Sequence, residues 1–246
     1  MRLFAIVLCG CGRLGFDATV DASIADADLR ACATRIPDLT AWFPFEGNTD
    51  DVVTAARSAV QNGNPTFDTG HDGQGIVLDG IDDRVDLPAA LAVNDYSFAF
   101  WVRTTDVGTG VAGDLWFEGK SLLDAEVCGA PATGDFGIAL IDGGHVNSSV
   151  LTMISTETIN DDAWHHLVLT RSISPNEELL YLDGKEIARD TGFAVPHTEI
   201  PFIGLGNNSC RINGNNNFAG RVDEVVSYDR AITPAEVTGL FECVEP

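Results

Sequence analysis

Basic residues are scarce in this chain: 14 Lys and Arg stand against 37 Asp and Glu, a formal net charge of −23 over 246 residues. Such a surface repels phosphate backbones and lacks the basic stripe of a nucleic-acid interface. It is also repelled by anionic headgroups, so membrane attachment would have to be covalent. No apolar run approaches the roughly 18–20 residues of a spanning helix. There is no Gly-x-Ser-x-Gly elbow, no Cys-x-x-Cys with matching histidines and no repeat of about 20–50 residues, which excludes the corresponding hydrolase, zinc and solenoid designs. Gly113-Asp114-Leu115-Trp116-Phe117-Glu118-Gly119-Lys120-Ser121 imitates a phosphate loop, but Asp114 stands where glycine is required. His165 and His166 are adjacent in a strand-like run and point to opposite faces, so they form no chelating pair.

What is present begins at the N-terminus. Arg2, the apolar Leu3-Phe4-Ala5-Ile6-Val7-Leu8 and then Cys9-Gly10-Cys11 form a short export-leader pattern. Leu8-Cys9-Gly10-Cys11 is similar to the lipobox of bacterial lipoproteins, which implies lipidation at Cys11 and anchoring by two acyl chains. Residues 12–35 are rich in Ala and Asp, poor in aromatics and free of strand alternation, the composition of a solvated tether. As a coil it would reach about 25 Å from the anchor, at roughly 5–6 Å × √n. The expected organisation is therefore residues 1–11 as leader, 12–35 as tether and 36–246 as one folded domain, in the cell envelope as an outer-membrane lipoprotein or at the cell surface, with secretion as the alternative.

From Leu39 onward, short alternating runs are separated by Gly, Asn, Asp and Pro. Phe98, Phe100 and Val102 share one face of Ser97–Arg103, as Leu167 and Leu169 do in Trp164–Thr170. Glu178–Leu182, Asp183-Gly184 and Lys185–Arg189 predict a two-residue hairpin, because Asp-Gly supplies two positive φ angles. Further strands are expected near 76–79, 84–87, 115–118, 136–141, 150–155, 202–205 and 218–228. Thr233-Pro234-Ala235-Glu236 predicts a capped helix running to about Phe241. With Cys9 in the leader and Cys11 lipidated, four cysteines remain, and three connectivities are possible for two disulfides. Cys32 with Cys243 is the pairing expected, since these flank the domain, leaving Cys128 with Cys210.

Six segments now occur in a telling order: Leu39–Glu46, Gly75–Val85 (with Leu-Asp-Gly-Ile-Asp-Asp-Arg-Val), Ser97–Arg103, Trp164–Val168, Leu180–Gly184 and Phe218–Ile232. Together they resemble the laminin-G-like jelly rolls of the concanavalin A-like lectin/glucanase superfamily over residues 36–242. The resemblance implies an all-β, two-sheet antiparallel sandwich with one concave sheet and a short C-terminal helix. It does not imply a function, because the fold hosts lectins, glycosidases, lyases and adhesion modules.

Related glucanases carry a Glu-x-Asp-x-Glu strand whose glutamates act on the sugar. The nearest run here is Leu122-Leu123-Asp124-Ala125-Glu126, in a stretch that reads as a loop. Leu122 occupies the first glutamate's place, so no catalytic residue is assigned. The resemblance also implies a structural calcium at Asp223, with carbonyl donors near Glu46 and Gly80. Asp223 alternates within an otherwise apolar strand, and an inward carboxylate needs a cation or hydrogen-bond donors; a hydrogen bond to the Leu78–Gly80 turn is the alternative. The Asp79/Asp82/Asp83/Asp86 cluster reads as a solvated turn. For a glycan or surface polymer, the amides of Asn207, Asn208, Asn213 and Asn215 and the ring of Trp116 are the candidate contacts, with Trp101 and Tyr181 as further stacking faces. The expected function is a non-catalytic binding or adhesion lipoprotein; the alternatives are a protein–protein module of the envelope or a polysaccharide-degrading enzyme.

Overall fold

The computed structural model describes residues 31–55, 57–111, 116–127, 135–148, 153–191, 200–208, 210 and 216–243. The leader and most of the tether, with Cys9 and Cys11, lie outside these residues, as do Cys128, Asn213 and Asn215. Among the described residues the strands run β1 (Leu39–Phe43), β2 (Val60–Asn62), β3 (Thr66–Thr69), β4 (Gln74–Asp79), β5 (Arg84–Leu87), β6 (Tyr96–Arg103), β7 (Lys120–Ala125) and β8 (Phe136–Ile141). There follow β9 (His145–Ser148), β10 (Met153–Thr158), β11 (Trp164–Ser172), β12 (Glu177–Leu182), β13 (Lys185–Thr191), β14 (Ile203–Leu205), β15 (Ala219–Tyr228) and the helix α1 (Pro234–Glu242).

The strands form two antiparallel sheets, the jelly-roll sandwich the sequence predicted. One has eight strands in the order β13-β12-β11-β6-β15-β4-β3, with β1 also paired to β15; the other has seven, in the order β10-β9-β8-β7-β14-β5-β2. Period-two alternation sends Phe98, Phe100, Val102, Leu167 and Leu169 of the first sheet into one core with Val85, Phe136, Ile138, Leu140 and Leu205 of the second. Tyr96 and Phe136 cross between the sheets with ring centroids 4.6 Å apart. Asp183 and Gly184 both have positive φ and join β12 to β13, as a type I′ turn requires.

A second, smaller core covers the outer face of the eight-stranded sheet. Val237 and Leu240 of α1 pack there with Trp42, Ala99, Val168, Tyr181 and Val226. The helix starts at a capping box in which the Thr233 hydroxyl accepts from the Glu236 N–H and the Glu236 carboxylate accepts from the Thr233 N–H. Residues 31–35, expected at the end of the tether, are helical. Ala33 and Ile36 belong to this second core, and the Ala33 carbonyl accepts the Tyr228 hydroxyl at 3.1 Å. The Ala/Asp composition concealed this docking, because two small apolar side chains suffice where a sheet face is already waiting. Cys32 and Cys243 form a disulfide with Cα atoms 5.9 Å apart, joining the two ends of the domain. Cys210 is also disulfide-bonded, and its partner lies outside the described residues.

Two expected elements differ. Residues 116–118 form a 3-10 turn rather than a strand. The run Leu122–Glu126, expected to be a loop, lies for the most part in the central strand β7, Lys120–Ala125. A bulge between Ser121 and Leu123 explains why. It turns both Leu122 and Leu123 into the core, which destroys the alternation by which the strand would be recognised.

Candidate functional site

The strand β15 changes neighbours halfway along its length. Its first half, Ala219–Val222, pairs with β4; its second half, Val225–Tyr228, pairs with β1. Between them the register shifts against β6 and Glu224 takes a φ of 52°. Asp223 sits at this bulge, where β1 has ended and β4 has not begun. Its carboxylate is 0% exposed. Oδ2 accepts the His71 N–H at 2.7 Å and the Asp72 N–H at 3.1 Å, and Oδ1 accepts the Glu224 N–H at 2.9 Å. Glu46, just beyond β1, accepts the Gln74 N–H at 2.9 Å. Burial pushes the Asp223 carboxyl up to about 8; the three N–H groups oppose that rise and the Glu46 carboxylate adds to it.

The turn Gly70–Gly73 between β3 and β4 is the cradle for these acids. A Cβ at Gly70 would strike Asp223 Oδ2, and one at Gly73, where φ is +44°, would strike the Glu46 carboxylate. Asp223 and Glu46 thus each lie against a glycine of this turn, and neither has an ion pair among the described residues. Carboxylate and carbonyl oxygens are the donors that a hard cation such as calcium prefers. The expected third member does not belong here. Gly80, φ +75°, packs instead on Ala219, at the far end of β4. The turn that Asp223 holds is Gly70–Gly73, not Leu78–Gly80, because the antiparallel register places Val222 opposite Ile76. The signal in the sequence was Gly70-His-Asp-Gly73, a hairpin loop beginning four residues before β4.

Asp79, Asp82 and Asp83 bring carboxylate oxygens within 4.8 Å of one another. Two of them cap their own turns. Asp79 Oδ1 accepts the Ile81 N–H at 2.7 Å, and Asp83 accepts the Asn64 and Asp79 N–H groups at 2.7 and 3.1 Å.

On the side of the seven-stranded sheet away from the main core lies a polar cluster, the candidate sugar patch, whose residues Ser121, Asp124 and Asn147 are each 0% exposed. Since Leu122 and Leu123 both turn inward at the bulge, Ser121 and Asp124 both face outward, with Asn147 on the same face. Asp124 lies in a cross-strand row with Gly204 and Gly137 on either side and Asp86 beyond Gly204. Trp116 lies over Gly137, in the space a Cβ there would occupy. Its ring is 2% exposed, so it offers no open stacking face; it walls the patch instead. Leu122, at the place of the first glucanase glutamate, is wholly buried in the core.

The asparagine loop meets this face in part. Asn207 is 1% exposed, and neither atom of its carboxamide has a hydrogen-bond partner among the described residues. Asn208 Oδ1 accepts the Cys210 N–H at 2.9 Å, while its Nδ2 is buried without a partner. Asn216 donates to the Phe117 carbonyl at 2.7 Å, tying the loop to the Trp116 turn. Trp101 and Tyr181 do not contribute to it. Both lie on the other sheet, Trp101 stacked on His71 with centroids 3.6 Å apart and Tyr181 beneath α1. Ser121 and Asp124 were not singled out as ligand contacts, for the same broken alternation that hid β7.

The family model for laminin-G-like domains, described as the concanavalin A-like lectin/glucanases superfamily, matches residues 79–238. No curated protein sequence matches the chain significantly. Among solved structures, domain 4 of AbnA, an extracellular GH43 arabinanase from Geobacillus stearothermophilus solved in complex with arabinotriose, is 22% identical with a TM-score of 0.63, over 82% of this chain and 98% of that one. The binding domain of Paraclostridial Mosquitocidal Protein 1 is 19% identical, TM-score 0.57, over 83% of this chain and 52% of that one. Trypanosoma rangeli sialidase in complex with sialic acid is 17% identical, TM-score 0.64, over 88% of this chain and 37% of that one. The chain thus spans about half of the mosquitocidal binding domain and about a third of the sialidase, and at these identities the likeness is one of fold.

Proposed function

Because the chain belongs to the laminin-G-like family of the concanavalin A-like lectin/glucanases superfamily, we propose that it is a non-catalytic saccharide-binding module acting outside the cytoplasm. The observation that carries this reading is Asn207: a carboxamide 1% exposed with neither atom partnered among the described residues, two residues beyond the strand β14 that pairs with Asp124. An unpaired buried amide costs about 1–3 kcal/mol, and sugar hydroxyls, which both donate and accept, would supply what it lacks. Support comes from the arabinotriose-bound arabinanase domain, which this chain matches over nearly that domain's full length. A hydrolytic role is disfavoured by Leu122, which points into the core where a first acid would be needed. Among the described residues no helix is long and apolar enough to cross a membrane. Attachment through a lipidated Cys11, at the cell surface or outer membrane, completes the proposal as an adhesion lipoprotein.

Calcium is proposed as a structural partner of the same domain. Asp223 and Glu46 would hold it, with carbonyl oxygens of the Gly70–Gly73 turn as further donors. When bound it supplies positive charge that lets both carboxylates stay ionised. The protein's own part is to orient the two acids with the backbone N–H groups of His71, Asp72, Glu224 and Gln74.

The test is retention on immobilised arabinan, neutral glucans and sialylated glycans, with and without EDTA. Weaker retention of Asn207→Ala than of wild type is the expected result. No retention on any of them would remove the saccharide reading. Radiolabelled palmitate should enter the wild type and not Cys11→Ser; an unlabelled wild type would replace anchoring with secretion.

A further inference from the structure

The opposite face of the sandwich carries an arrangement that the sugar patch does not use and that adjoins the calcium cradle at His71. On the eight-stranded sheet, antiparallel register aligns Val77 of β4, Arg221 of β15, Arg103 of β6 and Trp164 of β11 in one outward-facing cross-strand row. Two residues along the sheet, Trp101 lies opposite both Asp223 and His166. His71 stacks on Trp101 and meets Trp164 edge-on, with centroids 6.1 Å apart at 86°. The row therefore ends in an aromatic wall of Trp164 and His71.

Both arginines are held by acids. Arg103 reaches Asp162 through Nε at 2.9 Å and Nη2 at 3.0 Å. Arg221 donates to the Thr69 carbonyl at 2.7 Å and to Asp68 Oδ2 at 2.6 Å. Beside them opens a cavity of about 220 Å³, lined by Val77, Arg103, Thr105, Asp162, Ala219 and Arg221. The Arg103 and Asp162 side chains are 34% and 59% exposed, so the pair is reachable from solvent.

We propose that this row is a second saccharide-binding site, specific for a neutral, hydroxyl-rich sugar unit. The size argues for a small ligand, since drug-sized sites run to about 300–1,000 Å³. The charge argues for a neutral one. Each guanidinium is already neutralised by a carboxylate, and the surrounding protein, at −23, repels anions. What the Arg–Asp pairs leave over is outward N–H donors beside carboxylate lone pairs in fixed planes. Neighbouring hydroxyls of a sugar match that pattern, because each gives one hydrogen bond and takes another. Trp164, half-buried and next to Arg103 in the row rather than in the cavity lining, would offer apolar surface beside the cavity for the C–H face of a ring. The ligand class rests on the saccharide reading above; the place does not. Two sites on opposite faces would let one module bridge two chains of a polymer and raise its avidity.

The test is a titration of the purified protein with arabinotriose, a neutral glucan oligosaccharide and sialic acid, followed by calorimetry and by ligand-observed NMR. Wild type should bind two equivalents of a neutral sugar. Trp164→Ala and Arg103→Gln should each weaken one site by about tenfold or more, the loss of roughly 1.4 kcal/mol, and leave the other unchanged. Arg103→Gln guards against misfolding, since its side chain is partly exposed, and cooperative thermal unfolding checks both variants. One equivalent in wild type, untouched by either variant, overturns the second site and leaves the proposed function standing. Loss of all binding in these variants with none in Asn207→Ala keeps this site and removes the other. Binding of sialic acid alone at the row overturns the ligand class, and no binding of any probe overturns both proposals.

Discussion

Removing calcium and raising the pH should destabilise the protein through one carboxylate. Asp223 has an ordinary value of 3.8 and is pushed up to about 8 in the fold. A carboxyl whose folded value is raised binds a proton in the folded state that the unfolded state has lost. Its stabilising contribution is therefore full below pH 4 and disappears as the pH rises through 8. Four pH units at about 1.4 kcal/mol each set a ceiling near 6 kcal/mol. Local opening of the Gly70–Gly73 turn lets water reach the ionised group and limits the observable loss to about 2–3 kcal/mol. Glu178, raised to about 7 by burial, slopes in the same direction between its ordinary 4.5 and 7. The comparison must therefore be with Asp223→Asn, which keeps Glu178 and cannot titrate. The assay is urea unfolding by circular dichroism in EDTA at constant ionic strength from pH 5 to 9. The variant starts lower, having lost an acceptor for one N–H, so the slopes carry the information and not the heights. Wild type should lose at least about 1–2 kcal/mol more than Asp223→Asn over this range. At pH 8, calcium at a hundred times its dissociation constant should restore about 2.7 kcal/mol to wild type alone. Parallel slopes in EDTA would refute the burial argument. An equal calcium response in the variant would move the cation elsewhere, with the Asp79–Asp83 turn the first place to look.

Cys32→Ser with Cys243→Ser reopens a loop spanning 211 residues of sequence, and chain entropy sets the loss at about 5 kcal/mol. A midpoint drop of roughly 10–20 °C is expected by calorimetry; a drop under about 2 °C would mean that packing of residues 31–36 holds the ends together without the bond. Gly73→Ala should cost more than Gly143→Ala, although both positions have positive φ, because only the former pushes the exposed Glu46 carboxylate off the Gln74 N–H, while the latter meets open space. We expect about 1 kcal/mol at Gly143 and at least about 2 kcal/mol at Gly73; equal losses in urea would show that backbone strain alone decides. Asn207→Ala should weaken sugar retention to what the Arg103–Trp164 row alone supports, while leaving stability unchanged or raising it by up to about 1 kcal/mol, since it removes an unpaired buried amide. A variant that unfolds more easily yet binds as strongly as wild type would make Asn207 a structural residue.

Much of the architecture was legible along the chain. Alternation in Ser97–Arg103 and Trp164–Thr170, the Asp-Gly turn at 183–184 and the capping box at Thr233 are local patterns, set by side-chain period and by φ preferences a few residues apart. Asp223 was legible as an anomaly, a carboxylate in an apolar strand. The flanking positions of Cys32 and Cys243 suggested a clip because the ends of a domain are the natural place for one. Composition alone excluded a nucleic-acid surface, because charge needs no fold to be counted.

Tertiary structure decided the rest. The bulge at Ser121–Leu123 belongs to the pairing of β7 with β8, and no window of sequence shows which leucine faces in. It hid a central strand and, with it, the outward Ser121 and Asp124. The partner turn of Asp223 depended on register: β15 sets Val222 opposite Ile76, which carries Gly80 away and brings Gly70–Gly73 in. Trp116, an open platform in prospect, is a buried wall because the glycine at 137 lets its ring lie flat on the sheet. Residues 31–35 looked like tether because they bury little, and their place was fixed by a sheet face formed from residues up to 195 positions away. What the sequence determined by itself was periodicity, turn chemistry and charge. Which side chains converge was decided by strand register, because each residue's neighbour across a sheet is set by pairing rather than by its place in the chain.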